Sequence, residues 1–191
     1  SQLSYPLTEV EYGSAIALRK TDAHETAIWP VVSPSGKWVA YFQPPTSKQG
    51  SRLCVAETNG YALKLISEKN NGMFLYCAWS PDEKWLAVIE QFGGVQLSIY
   101  SAHETEHKRN IVQGMPIYFE WDSCSNGLMV HYVSNEDSSQ IKYFSLLDEL
   151  NDNQLSKKTG RFTRPVCVDN YWCFCEVSDG VSQLKKWSSY A

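Results

Sequence analysis

Apolar and polar residues alternate along most of the chain in short runs that are typical of β-strands. In one such run Leu53 and Val55 are separated by a single residue, and Leu97 and Ile99 repeat the spacing in a second run. Alternation with a period of two places these side chains on one face of a sheet. Four runs of this kind follow short polar loops: RLCVAE, QLSIYS, IKYFSL and LKKWSS. The pattern therefore predicts partly buried strands and an all-β fold.

The strands recur at a fixed interval, which indicates an internal repeat. WPVVSPSGKWVAYFQ (29–43) and YCAWSPDEKWLAVIE (76–90) share an aromatic start, a Ser-Pro turn, Lys-Trp and an apolar strand, and weaker copies begin at 118 and 164. Proline at the second position favours a tight turn between the strands. The equivalent aliphatic residues that follow are spaced by 43 or 44 positions: Leu53, Leu97, Ile141 and Leu184. Four short antiparallel strands in each such unit are typical of a β-propeller blade.

We predict an all-β fold, a β-propeller of about four four-stranded blades in a single domain spanning 1–191. The blades are expected at 28–66, 73–113, 117–160 and 164–191, and a strand at 14–20 is expected to complete the last blade and cover its open edge. In the first unit the strands are predicted at 28–32, 37–43, 52–57 and 62–66, and in the second at 73–79, 84–90, 95–100 and 109–112. Three assemblies remain open: a four-bladed ring, a homodimer that forms one eight-bladed ring, or part of a longer propeller.

The segments SPSGKWVAYF and SPDEKWLAVI carry a family resemblance. They are similar to the S-P-D-G-K-x-(I/L)-A-(Y/F) element of TolB-like propeller repeats, a WD-repeat-like architecture that also occurs in propeller domains of prolyl oligopeptidase and dipeptidyl peptidase relatives. The resemblance implies a propeller but no catalytic residue, because those peptidases carry their chemistry in a separate hydrolase domain. This chain has no G-x-S-x-G nucleophile motif.

Charge and composition narrow the range of partners and locations. Lys and Arg number 17 against 21 Asp and Glu, a net charge of −4, whereas a nucleic-acid-binding surface would be basic. No apolar run approaches the roughly 20 residues of a membrane span. Five of the six cysteines lie in apolar, strand-like segments, which favours buried thiols and a cytoplasmic location. Export after removal of a signal peptide stays open.

The stretch HETEH at 103–107 matches the zinc-protease motif H-E-x-x-H. It lies in SAHETEHKRN, which contains one alanine and no other apolar residue, whereas a zinc-binding helix needs an apolar face to hold both histidines rigidly. We therefore predict a polar turn between strands, with no metal and no cofactor. Asp82, Asp122 and Asp169 fall at turns, where Asp caps backbone N–H groups, so no catalytic residue is predicted.

Candidate partner-binding residues lie on loops that the blade order brings to one face. These loops include 43–51, 67–73 and 91–94, and their best candidates are Pro44, Pro45, Lys48, Met73 and Phe92. Phe92 sits at a glycine turn and either projects as an exposed anchor or folds back onto its blade. The tryptophans at 29, 38, 79, 85 and 121 are expected to pack the blades.

The sequence favours a noncatalytic propeller that acts as a protein–protein interaction module and binds a protein partner. The first strands of the units, WPVV, YCAW, YFEW and PVCV, are mostly apolar, which favours packing over catalysis. Two alternatives remain: the propeller domain of a hydrolase or peptidase, and a propeller that binds a small molecule or glycan.

Overall fold

The structure is a computed structural model that describes residues 26–59, 62–134, 139–147, 156–159, 164–169 and 171–188. These residues form four antiparallel sheets, which we call blades 1 to 4. Blade 1 contains β1 (Ile28–Val32), β2 (Trp38–Gln43), β3 (Ser51–Glu57) and β4 (Leu63–Lys69). Blade 2 contains β5 (Met73–Trp79), β6 (Trp85–Gln91), β7 (Val95–Ser101) and β8 (Lys108–Gln113). Blade 3 contains β9 (Ile117–Trp121), β10 (Gly127–Val133), β11 (Ser139–Ser145) and β12 (Ser156–Lys158), and blade 4 contains β13 (Val166–Val168), β14 (Tyr171–Ser178) and β15 (Val181–Trp187).

The strands of each blade are hydrogen-bonded in chain order, so strands that are consecutive in the chain are antiparallel neighbours in the sheet. The first strands of neighbouring blades contact one another, β1 with β5 and β9 with β13, and so form the innermost layer. The predicted all-β propeller of about four blades is confirmed. The predicted strand at 14–20 lies outside the described residues, and the assignment of 1–191 to one domain stays a prediction. Within the described part of the chain, no helix is long and apolar enough to cross a membrane.

The turns between first and second strands explain why the repeated Ser-Pro segments fold alike. The Ser33 and Ser80 hydroxyls accept the backbone N–H groups of Trp38 and Trp85, at 3.1 and 3.0 Å, and so close the two turns. In blade 3 Asp122 replaces the serine, and its carboxylate accepts two backbone N–H groups at 3.1 and 2.8 Å. These short polar side chains satisfy turn donors that neither strand can reach.

Three buried clusters lie between successive blades and form the core. The cluster between blades 1 and 2 includes Phe42, Leu53, Phe74, Leu86 and Tyr100. The cluster between blades 2 and 3 includes Leu97, Ile99, Phe119, Leu128 and Val130. The cluster between blades 3 and 4 includes Met129, Ile141, Tyr143, Trp172 and Phe174. Blades 2 and 3 therefore each use one face toward the preceding blade and the other toward the following blade, as the period of two requires.

Four of the five tryptophans pack the blades as expected, and Trp29 does not. Trp79 and Trp121 are buried, and their indole N–H groups donate to the carbonyl oxygens of Val31 and Ala78 in the preceding blade, at 2.9 and 3.2 Å. Trp29 is 52% exposed, because the register of β1 shifts at this point and its φ is +56°. The bulge turns the indole away from the core.

Candidate protein-binding surface

The first strands of blades 1 to 3 carry an aromatic residue at the same position. Trp29, Tyr76 and Tyr118 each lie three residues before the end of their strand. Trp29 and Tyr76 are exposed and meet edge to face, with ring centroids 6.2 Å apart, and Tyr118 is partly buried. The inner layer therefore presents a row of aromatic rings on rigid strands.

A cavity of about 340 Å³ opens between Tyr76 and Tyr118. Its wall is apolar and aromatic apart from one basic side chain: Tyr76, Ile89, Ile117, Tyr118, Phe119 and Arg164. The largely exposed Arg164 guanidinium contacts the Glu120 carboxylate, Nη2 to Oε2 at 3.3 Å. An exposed ion pair of this kind contributes little stability, so another carboxylate can displace Glu120 at small cost. The cavity thus suits an apolar group next to a carboxylate.

Two exposed methionines lie at the N-terminal ends of two of these strands: Met73 is the first residue of β5, and Met115 lies two residues before β9. Met73 and Met115 each lie six residues before the buried tryptophan of their blade, Trp79 or Trp121, and both are exposed. Methionine adapts its shape to irregular partners, and Met, aromatic residues and Arg are the types enriched at protein interfaces. We call the set of Trp29, Met73, Tyr76, Met115, Tyr118 and Arg164 the inner-strand surface.

Of the predicted loop residues, Met73 belongs to this surface and Phe92 does not project from its turn. The Phe92 ring is partly buried and lies edge to face against Phe74, with centroids 5.4 Å apart, and the Lys69 ammonium lies 5.3 Å from its centroid. It therefore folds back onto its blade, the second of the two alternatives. Pro45 and Lys48 are exposed and Pro44 is partly buried. The partner-binding role of all five stays a prediction.

Sequence reasoning overlooked the aromatic row and Arg164. The aromatic residue that begins WPVV, YCAW and YFEW was a usable signal, because three matching positions in three units indicate a shared face. Arg164 precedes its strand by two residues and carries no such pattern.

No family model and no curated protein matches the chain. Among solved structures, the β-propeller domain of the Trilobed protease from Pyrococcus furiosus matches with a TM-score of 0.61 and 14% identity, over 84% of this chain and 57% of that one. TolB from Acinetobacter baumannii matches with a TM-score of 0.55 and 14% identity, over 86% and 41%. A prolyl endopeptidase matches with a TM-score of 0.63 and 13% identity, over 87% and 28%. The fold is that of TolB-like β-propellers.

The chain spans less than two thirds of each of these three solved chains. At such low identity the likeness establishes the fold of this TolB-like propeller and leaves its activity to the proposals below. The resemblance to WD repeats stays a prediction, since the matched proteins are TolB and peptidase propellers.

The HETEH stretch is a turn between β7 and β8 of the TolB-like propeller, as predicted. Its histidines are engaged separately: His103 meets Trp38 edge to face at 5.8 Å, and His107 meets Trp85 at 5.7 Å. The turn also covers the outer edge of blade 1. Thr105 Oγ1 donates to the Leu65 carbonyl at 2.9 Å, and the Glu106 N–H donates to the Ile66 carbonyl at 2.8 Å. The motif therefore protects a strand edge that would otherwise be open to other chains.

Glu90 is the centre of a buried polar cluster between blades 1 and 2. Its carboxylate is fully buried and accepts hydrogen bonds from Lys108, from Tyr100 at 2.6 Å, from Ser98 at 2.6 Å and from Gln96 at 2.7 Å. Burial opposes ionisation of Glu90, but these donors outweigh it and hold the pKa of the carboxyl below its ordinary value. The partners of Glu90 among the described residues are hydrogen-bond donors and two lysine ammonium groups, so the cluster joins strands of the two blades.

Proposed function

We propose that the chain is a noncatalytic protein-interaction module whose inner-strand surface binds a segment of a protein partner. The observation that carries the proposal is the aromatic row, because Trp29 and Tyr76 hold large apolar rings in solvent on rigid strands. Exposed aromatic side chains that are fixed by the fold lose little conformational freedom on binding.

The chemistry of the surface defines the segment it fits. The cavity between Tyr76 and Tyr118 has room for one large apolar side chain. Arg164 stands at this cavity with its fork of N–H donors, which match a carboxylate in a bidentate geometry. The preferred segment therefore combines an apolar or aromatic residue with an adjacent Asp, Glu or chain-terminal carboxylate.

A peptide library displayed on phage and selected against the immobilised chain tests this proposal. We expect enrichment of peptides with an apolar residue beside an acidic one. In fluorescence anisotropy, Trp29→Ala and Arg164→Gln should each weaken the binding of a selected peptide at least about tenfold, the effect typical of a central interface residue. Leu147→Ala removes an exposed apolar side chain after β11 and should leave affinity unchanged.

The loop residues supply a competing surface within the same function. If Lys48→Glu or Pro45→Ser abolishes peptide binding while Trp29→Ala has no effect, the partner binds the loops around Pro44 to Lys48 and the inner-strand assignment is wrong. Selection of oligosaccharides from a glycan array, with no peptide selected, would instead favour the glycan-binding alternative.

The second candidate function is a propeller domain that serves a peptidase. The matches to the Trilobed protease propeller, to a prolyl endopeptidase and to an acylaminoacyl peptidase from Pyrococcus horikoshii favour it. A fluorophosphonate probe should then label a serine hydrolase that co-purifies with the tagged chain from its source cells. Labelling that is equal in a mock purification would argue against a peptidase.

We also propose a cytoplasmic location, supported by the cysteine chemistry. All six cysteines are thiols in the structure, and Cys54 and Cys77 are buried inside blades. Fractionation of source cells with a tagged chain tests the location, and recovery outside the cytoplasm would overturn it.

A further inference from the structure

The face of blade 4 that points away from blade 3 is exposed and largely apolar. Directly paired residues in antiparallel strands share a face, which places Val166 with Cys173, Val168 with Tyr171 and Cys175 with Leu184. Lys186, which pairs with Cys173, lies on this face, and its ammonium is 3.4 Å from the centroid of the Tyr171 ring. The exposed apolar side chains of this face are Val166, Val168, Tyr171, Val177 and Leu184. We call them, together with Cys175, the successor face, because the corresponding face of every earlier blade meets the next blade.

The residues equivalent to Leu184 in the other three blades are buried. Leu184 is equivalent to Leu53, Leu97 and Ile141, which are all 0% exposed, whereas Leu184 is 77% exposed. Each of those three packs into the cluster that joins its blade to the following one. An aliphatic residue at this sheet position is therefore buried by the following blade in blades 1 to 3 and exposed in blade 4.

At the three junctions between blades, the strand that covers this face has the same pattern of apolar residues. The pattern indicates what kind of element would cover the successor face of blade 4. At each junction, two alternate large apolar residues on the second strand of the following blade pack against the preceding blade. On β6 these residues are Leu86 and Val88, and two alternate apolar residues of β10 and of β14 pack in the same way. These residues belong to a four-stranded antiparallel blade in the first two junctions. The successor face thus matches the surface of another blade of this type.

A second copy of the chain fits the face less well. To continue the ring, a second copy would have to dock the face of its own blade 1 that points away from blade 2. The central residues of that face, Tyr41, Cys54 and Ala56, are already buried. Two copies arranged head to tail would have to uncover these buried residues before they could close an eight-bladed ring.

We propose that the successor face docks a further propeller blade from outside these 191 residues, whose second strand presents two alternate large apolar side chains. The match to the Pyrococcus furiosus propeller domain supports this, because the chain spans only 57% of that domain. The apolar row from Val166 to Leu184 then becomes a buried junction like the other three.

Two fusions of the full chain test the proposal. In the first, a copy of blade 2 (71–113) follows residue 188; in the second, a blade of the Pyrococcus furiosus propeller domain takes its place. The readout is alkylation of Cys175, which lies on the successor face, against Cys124, an exposed thiol in a turn of blade 3. Cys54 and Cys77 are buried and report that the parent blades remain folded.

We expect Cys175 to react at least about tenfold more slowly in a fusion than in the parent chain, with Cys124 unchanged, because a covered thiol reacts only when the packing opens. Replacing Leu86 and Val88 by Asp in the appended copy of blade 2 alone should restore the reactivity of Cys175. Two results overturn the proposal: equal reactivity of Cys175 and Cys124 in both fusions, or a parent chain that light scattering shows to be a dimer with Cys175 already protected.

Discussion

Glycine, glutamate and serine occupy the same left-handed backbone position in three successive turns. Gly36, Glu83 and Ser125 have φ values of +76°, +61° and +62°. Glycine adopts this conformation without strain, whereas in Glu83 and Ser125 other contacts must offset the strain of the backbone. Glu83 has it: its carboxylate accepts hydrogen bonds from the Ser35 backbone N–H and from the Ser35 hydroxyl, the latter at 3.0 Å. The departure from glycine in the second repeat therefore links two neighbouring turns.

Glu90 contributes stability as a buried anion, and its substitution tests that contribution. Glu90→Gln removes the charge that compensates the ammonium groups of Lys69 and Lys108, which contact it from two other strands. We expect a loss of about 3 kcal/mol in the free energy of unfolding at pH 7, the low end for a broken buried ion pair, because both lysines remain partly solvated. Urea denaturation measures it.

The pH dependence of this effect has a definite sign. The pKa of Glu90 is lowered in the folded chain, so its stabilising effect is fully present above the unfolded value of about 4.3 and is lost as pH falls through the folded pKa. The stability difference between the wild type and Glu90→Gln should therefore shrink as pH falls from 5 toward 3. Glu176→Gln, at the equivalent position of blade 4, breaks one ion pair with Lys185 and serves as the control. Equal losses from both substitutions would contradict a special role for the buried cluster.

At the scale of the strand, one position shows how a repeat tolerates different solutions. On the face toward the preceding blade, one repeat position near the end of the second strand holds Gln43, Glu90, Tyr132 or Glu176 in the four blades. Each lies opposite a polar residue of the third strand, as Glu90 lies opposite Gln96 and Tyr132 opposite Gln140. The sheet therefore fixes polarity at this position and leaves the side chain to suit its neighbours.

The turn at 102–107 should behave as an edge cover and not as a metal site. Its Glu106 carboxylate accepts the Glu68 backbone N–H at 3.2 Å, next to the Thr105 and Glu106 contacts with β4. Thr105→Val with Glu106→Ala removes two hydrogen bonds worth about 1 kcal/mol each, so amides of 63–69 should exchange at least fivefold faster. Hydrogen exchange with mass spectrometry measures this.

The matched control for the edge cover is the double variant His103→Ala/His107→Ala. It leaves Thr105 and Glu106 in place and should keep the amides of β4 protected. A larger rise in exchange at 63–69 from the histidine variant than from the Thr105/Glu106 variant would contradict the edge-cover role. A rise in melting temperature with Zn²⁺ that the histidine variant abolishes would restore the metal interpretation.

For the whole molecule, the sequence predicted what depends on neighbours in the chain and missed what depends on neighbours in space. The strand predicted at 84–90 is observed as β6 (Trp85–Gln91), because the S-P-D-E turn and the alternation of apolar residues are local signals. The buried cluster around Glu90 was not predicted, since Lys69 and Lys108 lie on other strands. Trp29 was assigned to the core because a bulge that reverses a side chain leaves no mark in the pattern.

Stability should be uneven around the propeller, because each blade depends on its neighbours. Blade 2 is packed on both faces, whereas blade 4 packs through Trp172 and Phe174 against blade 3 and exposes its other face within the described part of the chain. β6 and β14 are matched, since each is a second strand paired on both sides. We expect the amides of β14 to begin to exchange, through local unfolding, at a lower urea concentration than the amides of β6.

Trp172→Ala should widen the difference between the urea concentrations at which β14 and β6 open. Removal of a fully buried indole costs about 3 kcal/mol or more, and the loss falls on the junction between blades 3 and 4. Cys77 reports blade 2 independently, because burial raises the pKa of its thiol to about 12 and so suppresses the reactive thiolate until the blade opens. In the variant, exchange in β14 should rise at urea concentrations that leave alkylation of Cys77 unchanged. If β14 exchange and Cys77 alkylation shift together, the blades unfold as one cooperative unit, and the exposed face of blade 4 does not weaken it relative to blade 2.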